Sequence, residues 1–79
     1  MISSVNTTMV IRTARLKNGD LYELILSTGL ASFLITVYEP GKDRAQVLRT
    51  YEYDTSKPEQ TKYVRRQAME DFNTTIKED

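Results

Sequence analysis

From Val64 onward the apolar residues Val64, Ala68, Phe72 and Ile76 recur every fourth position, whereas before Asp54 the apolar residues that repeat do so every second position. A spacing of four lines one flank of an α-helix, and alternation lines one face of a β-strand. The chain therefore carries one striped helix and one set of strands. Neither can hide its apolar side alone in water, so each must cover the other. Met69 widens the helical stripe to a normal core-facing width, with Thr61 flanking it one turn earlier. The expected helix spans residues 57–75. Ser56-Lys57-Pro58-Glu59 has the pattern of a capping box, in which the Ser56 hydroxyl accepts from the Glu59 amide. Pro58 would fall in the first turn, where a missing N–H costs nothing.

Turn signals divide the region before the helix into strands. Residues 7–17 are rich in Thr, Val, Ile and Met, which favours extended backbone. Their alternation breaks, since Val10, Ala14 and Leu16 share one parity with Arg12 while Met9 and Ile11 take the other. A β-bulge would reconcile the halves, as would a strand contacted on both faces. Asn18-Gly19-Asp20 is a hairpin signal. Residues 21–27 form the second expected strand, with Tyr22, Leu24 and Leu26 on one face. After Thr28-Gly29, extended chain resumes from Leu30 to Tyr38, with Phe33, Ile35 and Val37 in phase; this strand is apolar on both sides and belongs in the sheet centre. Pro40-Gly41 suits the two corners of a type II turn. In residues 45–53, Val47, Arg49, Tyr51 and Tyr53 alternate with Leu48, Thr50 and Glu52.

Short connections make successive strands neighbours. The expected fold is α+β, an antiparallel meander of three or four strands packed on one C-terminal helix. At 79 residues this is one domain: residues 1–6 a loose lead-in, 7–53 the sheet, 57–75 the helix. Tyr22, Leu24, Leu26, Phe33, Ile35 and Val37 should meet the helical stripe. Ile25, Leu34, Tyr38 and Leu48 then fall on the face turned away from the helix. That is more apolar area than a solvated sheet face normally carries: either it meets a second copy of the chain or another protein, or strong curling of the sheet buries much of it internally.

Composition narrows the chemistry. With no cysteine and no histidine, the chain lacks disulfides, thiolate nucleophiles, the usual general base near neutral pH and the commonest metal ligand. The glycines Gly19, Gly29 and Gly41 stand singly in separate turns rather than in a phosphate-binding loop. Glu70 and Asp71 are adjacent on a helix and point apart, so they make a poor acid–base pair. Enzymatic activity, cofactors and metals are not expected. The N-terminus has no basic residue before its interrupted apolar stretch, and no apolar run nears the roughly 20 residues a membrane helix needs, so a cytoplasmic location is expected.

Eleven basic and eleven acidic side chains cancel, which disfavours broad nucleic-acid binding. The charges are nevertheless uneven, with Lys62, Arg65 and Arg66 giving the first half of the helix a basic edge. Arg12, Arg15 and Lys17 would add to it if the first strand lay nearby. With Tyr63, and with Tyr51 and Tyr53 close by, this edge supports an alternative reading as a site for single-stranded nucleic acid. The leading expectation is a non-enzymatic protein-interaction module that meets a second copy of the chain or another protein through Ile25, Leu34, Tyr38 and Leu48.

Overall fold

The computed structural model describes residues 7–77 and contains β1 (Thr8–Arg15), β2 (Leu21–Ser27), β3 (Ser32–Tyr38), β4 (Gln46–Glu52) and α1 (Pro58–Lys77). The expected lead-in, residues 1–6, lies outside the described residues. The four strands form one antiparallel sheet in the order β1-β2-β3-β4, and α1 lies across β2, β3 and β4 on one face. This is the α+β meander that the change of period implies. One helix on one sheet makes two layers, and the molecule is a slab whose principal extents are 40 × 32 × 15 Å.

Alternation decides what is buried. Register pairs Leu26 with Phe33, Leu24 with Ile35 and Tyr22 with Val37, so these six side chains share the face beneath the helix. Leu24, Phe33, Ile35, Ala68 and Phe72 form the sealed centre, each 2 % exposed or less. Tyr22 and Val37 complete the buried cluster, with Ile11, Ala14, Leu16, Leu26, Tyr51, Tyr53, Val64, Met69 and Ile76 packed around it. Ala68 matters by being small: a methyl group at the crossing point lets the helix sit close enough for Phe72 to reach the sheet. Tyr53 adds an aromatic contact with Phe33, their ring centroids 5.5 Å apart.

The helix begins differently from the expectation. The capping box does not form. Instead, the Ser56 hydroxyl and amide both donate to Asp54 Oδ1, at 2.7 and 2.9 Å. The Lys57 amide donates to the Asp54 carbonyl at 3.0 Å. Asp54 thus organises the turn into α1, and the Ser56 hydroxyl, followed by the Ser56 amide, holds its carboxyl below the usual carboxylate range. A carboxylate accepts two donors at once, so it outcompetes a hydroxyl for this role.

The hairpins carry the remaining backbone constraints. Between β1 and β2, the Gly19 amide donates to the Leu16 carbonyl at 2.9 Å, and the Asp20 amide donates to Asn18 Oδ1 at 2.9 Å. Gly19 has φ +97°, and a Cβ there would stand 2.9 Å from Pro40 Cγ, because this turn abuts the β3–β4 turn. Between β3 and β4, Gly41 has φ +83° and the Lys42 amide donates to the Glu39 carbonyl, as a type II turn requires. Between β2 and β3 the left-handed position falls on Ala31 (φ 50°), not on Gly29; among the described residues no other non-glycine has positive φ.

Two stability predictions follow from this geometry. Phe72→Ala empties the sealed centre and should cost about 3–5 kcal/mol in a urea melt, comparable to the whole stability of a small domain. Ala31→Gly and Gly19→Ala should act in opposite directions. A left-handed residue with a Cβ costs roughly 1–2 kcal/mol, of which glycine's extra unfolded-state entropy returns about half. Thermal denaturation should show Ala31→Gly raising Tm by a few degrees and Gly19→Ala lowering it by more, since Pro40 must also move.

Candidate functional site

The sheet face away from α1 is ordered by register into rows that run across the strands. Val10 pairs with Ile25 and Ile25 with Leu34, making one apolar row across β1, β2 and β3. The next row is Thr13, Glu23, Thr36 and Val47, and beyond it lie Arg15, Leu21 and Tyr38. Three of the expected interaction residues, Ile25, Leu34 and Tyr38, therefore share this face. Ile25 and Leu34 are half-buried without belonging to the core under the helix, while Tyr38 is exposed. Tyr38 also borders a hollow of about 350 Å³ formed with Arg15, Gly19, Leu21 and Pro40.

Leu48 does not fit the simple alternation. β4 contains a register shift opposite Ile35/Thr36, where Arg49 pairs with Ile35 and Val47 with Thr36. Leu48 is the extra residue of that bulge, exposed but outside the regular rows. The bulge moves Val47 off the parity of Tyr51 and onto the open face, where it is 53 % exposed. Val47 and Val10 thus join the face although simple alternation did not mark them. Nothing in Val47-Leu48-Arg49 signals a bulge, because none of these residues favours the irregular backbone one brings. In β1 the corresponding shift lies between Val10 and Arg12, as the broken alternation there implied.

These bulges also affect the sheet edges. β1 and β4 are the edge strands, and each carries one unpaired extra residue, Ile11 or Leu48. A bulge interrupts the ladder of free N–H and C=O groups that an added strand would need.

On the other side of the molecule, Lys62, Arg65, Arg66, Met69, Glu70 and Asn73 line a hollow of about 580 Å³ along the helix flank. The expected basic edge is thus gathered in one place. Tyr63 does not line it, although it is 69 % exposed and stands one turn before Arg66. Tyr51 and Tyr53 are occupied elsewhere, one hydrogen-bonded to the helix and one packed on Phe33. Of the first-strand cations, Arg12 stands at a register position facing Leu24 on the helix side of the sheet. Arg15 instead pairs with Leu21 on the open face, and its guanidinium donates to the Gly19 carbonyl at 3.4 Å.

One polar seam fixes how the helix is turned. The Tyr51 hydroxyl on β4 donates to Asp71 Oδ2 at 2.7 Å, and Gln67 Nε2 donates to Asp71 Oδ1 at 3.0 Å. Arg49 borders the same spot with Asp71, Thr74 and Thr75. Burial, and then the hydrogen bond to the Asp71 carboxylate, push the Tyr51 hydroxyl up to about 12. Glu70 faces the flank hollow while its neighbour Asp71 is bound at the seam, so the two acids do not act as a pair.

Among the described residues, no group of three or more Asp or Glu side chains is placed to hold a metal ion. No helix among the described residues is long and apolar enough to cross a membrane. No protein-family model, curated protein or solved structure matches the chain, so the surfaces must be read from their own chemistry.

The Tyr51–Asp71 bond makes a pH prediction. Tyr51 is raised in the folded protein, so its contribution is fully present below the ordinary tyrosine range near 10 and is lost as pH rises through about 12. Chemical denaturation between those limits should show stability falling with pH. In Tyr51→Phe the fall should be shallower, and stability at neutral pH should drop by about 1–2 kcal/mol.

Proposed function

We propose that this protein is a non-enzymatic interaction module that pairs with a second copy of itself through the sheet face not covered by α1. The observation that carries this reading is the row of Val10, Ile25 and Leu34, extended by Val47 and Tyr38, on a slab only 15 Å thick. A two-layer slab leaves one sheet face without a covering layer, and a second sheet is the simplest cover. Zero formal net charge means that two copies do not repel each other as wholes. The bulged edges favour face-to-face pairing over strand addition.

Size sets the strength. Strands of seven residues, spaced as in any sheet, offer a footprint on the order of 400 Å² per copy. Two such faces reach only the low end of specific interfaces, and the rows also contain the polar residues Thr13, Glu23 and Thr50. The pairing is therefore reversible, with a dissociation constant on the order of micromolar or weaker.

Sedimentation across a concentration series tests it. The wild-type chain should move from monomer to dimer as concentration rises toward about 1 mM. Leu34→Lys should stay monomeric throughout, with its thermal melt within a few degrees of wild type. Val10→Lys, at a more exposed position in the same row, provides the same test if Leu34→Lys folds poorly. A wild type that remains monomeric at the highest concentration, or folded lysine variants that still dimerise, would refute the proposal.

A further inference from the structure

The helix flank carries a second surface, chemically unlike the first and on the opposite side of the molecule. We propose that the hollow formed by Lys62, Arg65, Arg66 and Met69 docks an acidic, amphipathic segment of another protein. This inference does not rest on the pairing of two copies.

Placement comes from the seam. Asp71 is bound to Tyr51, which turns that side of α1 toward β4. Lys62, Met69 and Asn73 lie on the other side of the core stripe of Ala68 and Phe72, and so look toward β1. The helix covers β2, β3 and β4, and β1 extends past it. On the helix side of β1 stand Ile11, half-buried against the core, and Met9, 56 % exposed and paired with Leu26. Met69 is itself half-buried against the core and is the apolar residue among those that line the hollow.

Charge selects the occupant. Three cations, Lys62, Arg65 and Arg66, face one carboxylate, Glu70, around the hollow, and Arg12 stands at a helix-side register position on β1. A complementary ligand places carboxylates against this rim and an apolar side chain over Met69. Methionine suits such a floor because its unbranched thioether adapts to different side chains. A peptide supplies both features at once. A nucleic-acid strand would need aromatic platforms beside the cations. Here Tyr51 is bonded to Asp71, Tyr53 packs on Phe33, and Tyr63 lies outside the hollow. In a face-to-face dimer both flanks would point outward, so the pair would present two such hollows and bind a divalent acidic partner with avidity.

Fluorescence anisotropy with the full chain and three labelled probes tests this. One probe is a short peptide with Leu and Phe set among Glu and Asp, the second is the same peptide with Ser replacing Leu and Phe, and the third is an oligothymidylate of similar length. The first peptide should bind at least about tenfold more tightly than the second, because only it covers Met69. Its affinity should fall severalfold between about 50 and 200 mM salt. Arg65→Glu and Lys62→Glu, both at exposed positions, should each weaken it about tenfold while leaving the thermal melt unchanged. Leu34→Lys should leave it unchanged, which separates this surface from the sheet face. The inference is overturned if the oligothymidylate binds best, if the two peptides bind alike, if the charge reversals have no effect, or if no probe binds.

Discussion

The structure depends on one contact: Ala68 and Phe72 of the helix meeting Leu24, Phe33 and Ile35 of the two central strands. Among the described residues these are the apolar side chains most fully sealed from water, and with no cysteine or histidine in the sequence no disulfide or histidine–metal centre supplements them. Once they meet, the other surfaces are set in outline. The sheet face beneath the helix becomes interior, its reverse has no covering layer among the described residues, and the helix acquires two distinguishable flanks.

Two single-residue irregularities then redistribute side chains between those surfaces. At Ile11 the bulge lets the apolar residues on both sides of the broken alternation reach the core: Ile11, Ala14 and Leu16 all pack there, although their spacing in an unbroken strand would not allow it. At Leu48 the bulge has the reverse consequence, sending Val47 to the open face while Arg49 and Tyr51 stay on the helix side. The same insertions lie on the two edge strands and break their ladders. One device thus serves both to complete the core and to protect the edges.

The polar seam complements the apolar contact. Packing of an alanine and a phenylalanine against a sheet tolerates some rotation of the helix, whereas the bond from Tyr51 to Asp71, backed by Gln67, does not. Because Asp71 is held on the β4 side, the cations and Met69 are carried to the β1 side. The proposed division of labour between an apolar sheet face and a basic, methionine-floored flank follows from that orientation.

The sequence by itself determined the architecture, because its periods are local properties of the chain. Alternation in Tyr22, Leu24 and Leu26 and the fourfold spacing of Val64, Ala68, Phe72 and Ile76 each place a stripe on one side of an element whatever surrounds it. Three of the four residues assigned to the open face, Ile25, Leu34 and Tyr38, were legible on the same ground. Only the tertiary structure decided the rest, since it turns on competition between partners distant in the chain or alternative in space. Whether Val47 or Leu48 keeps phase depends on how β4 registers against β3. Whether Ser56 or Asp54 directs the turn into the helix depends on which acceptor reaches the free amides. Which tyrosines remain free beside the basic edge depends on Asp71 and Phe33, and no run of neighbouring residues encodes those meetings.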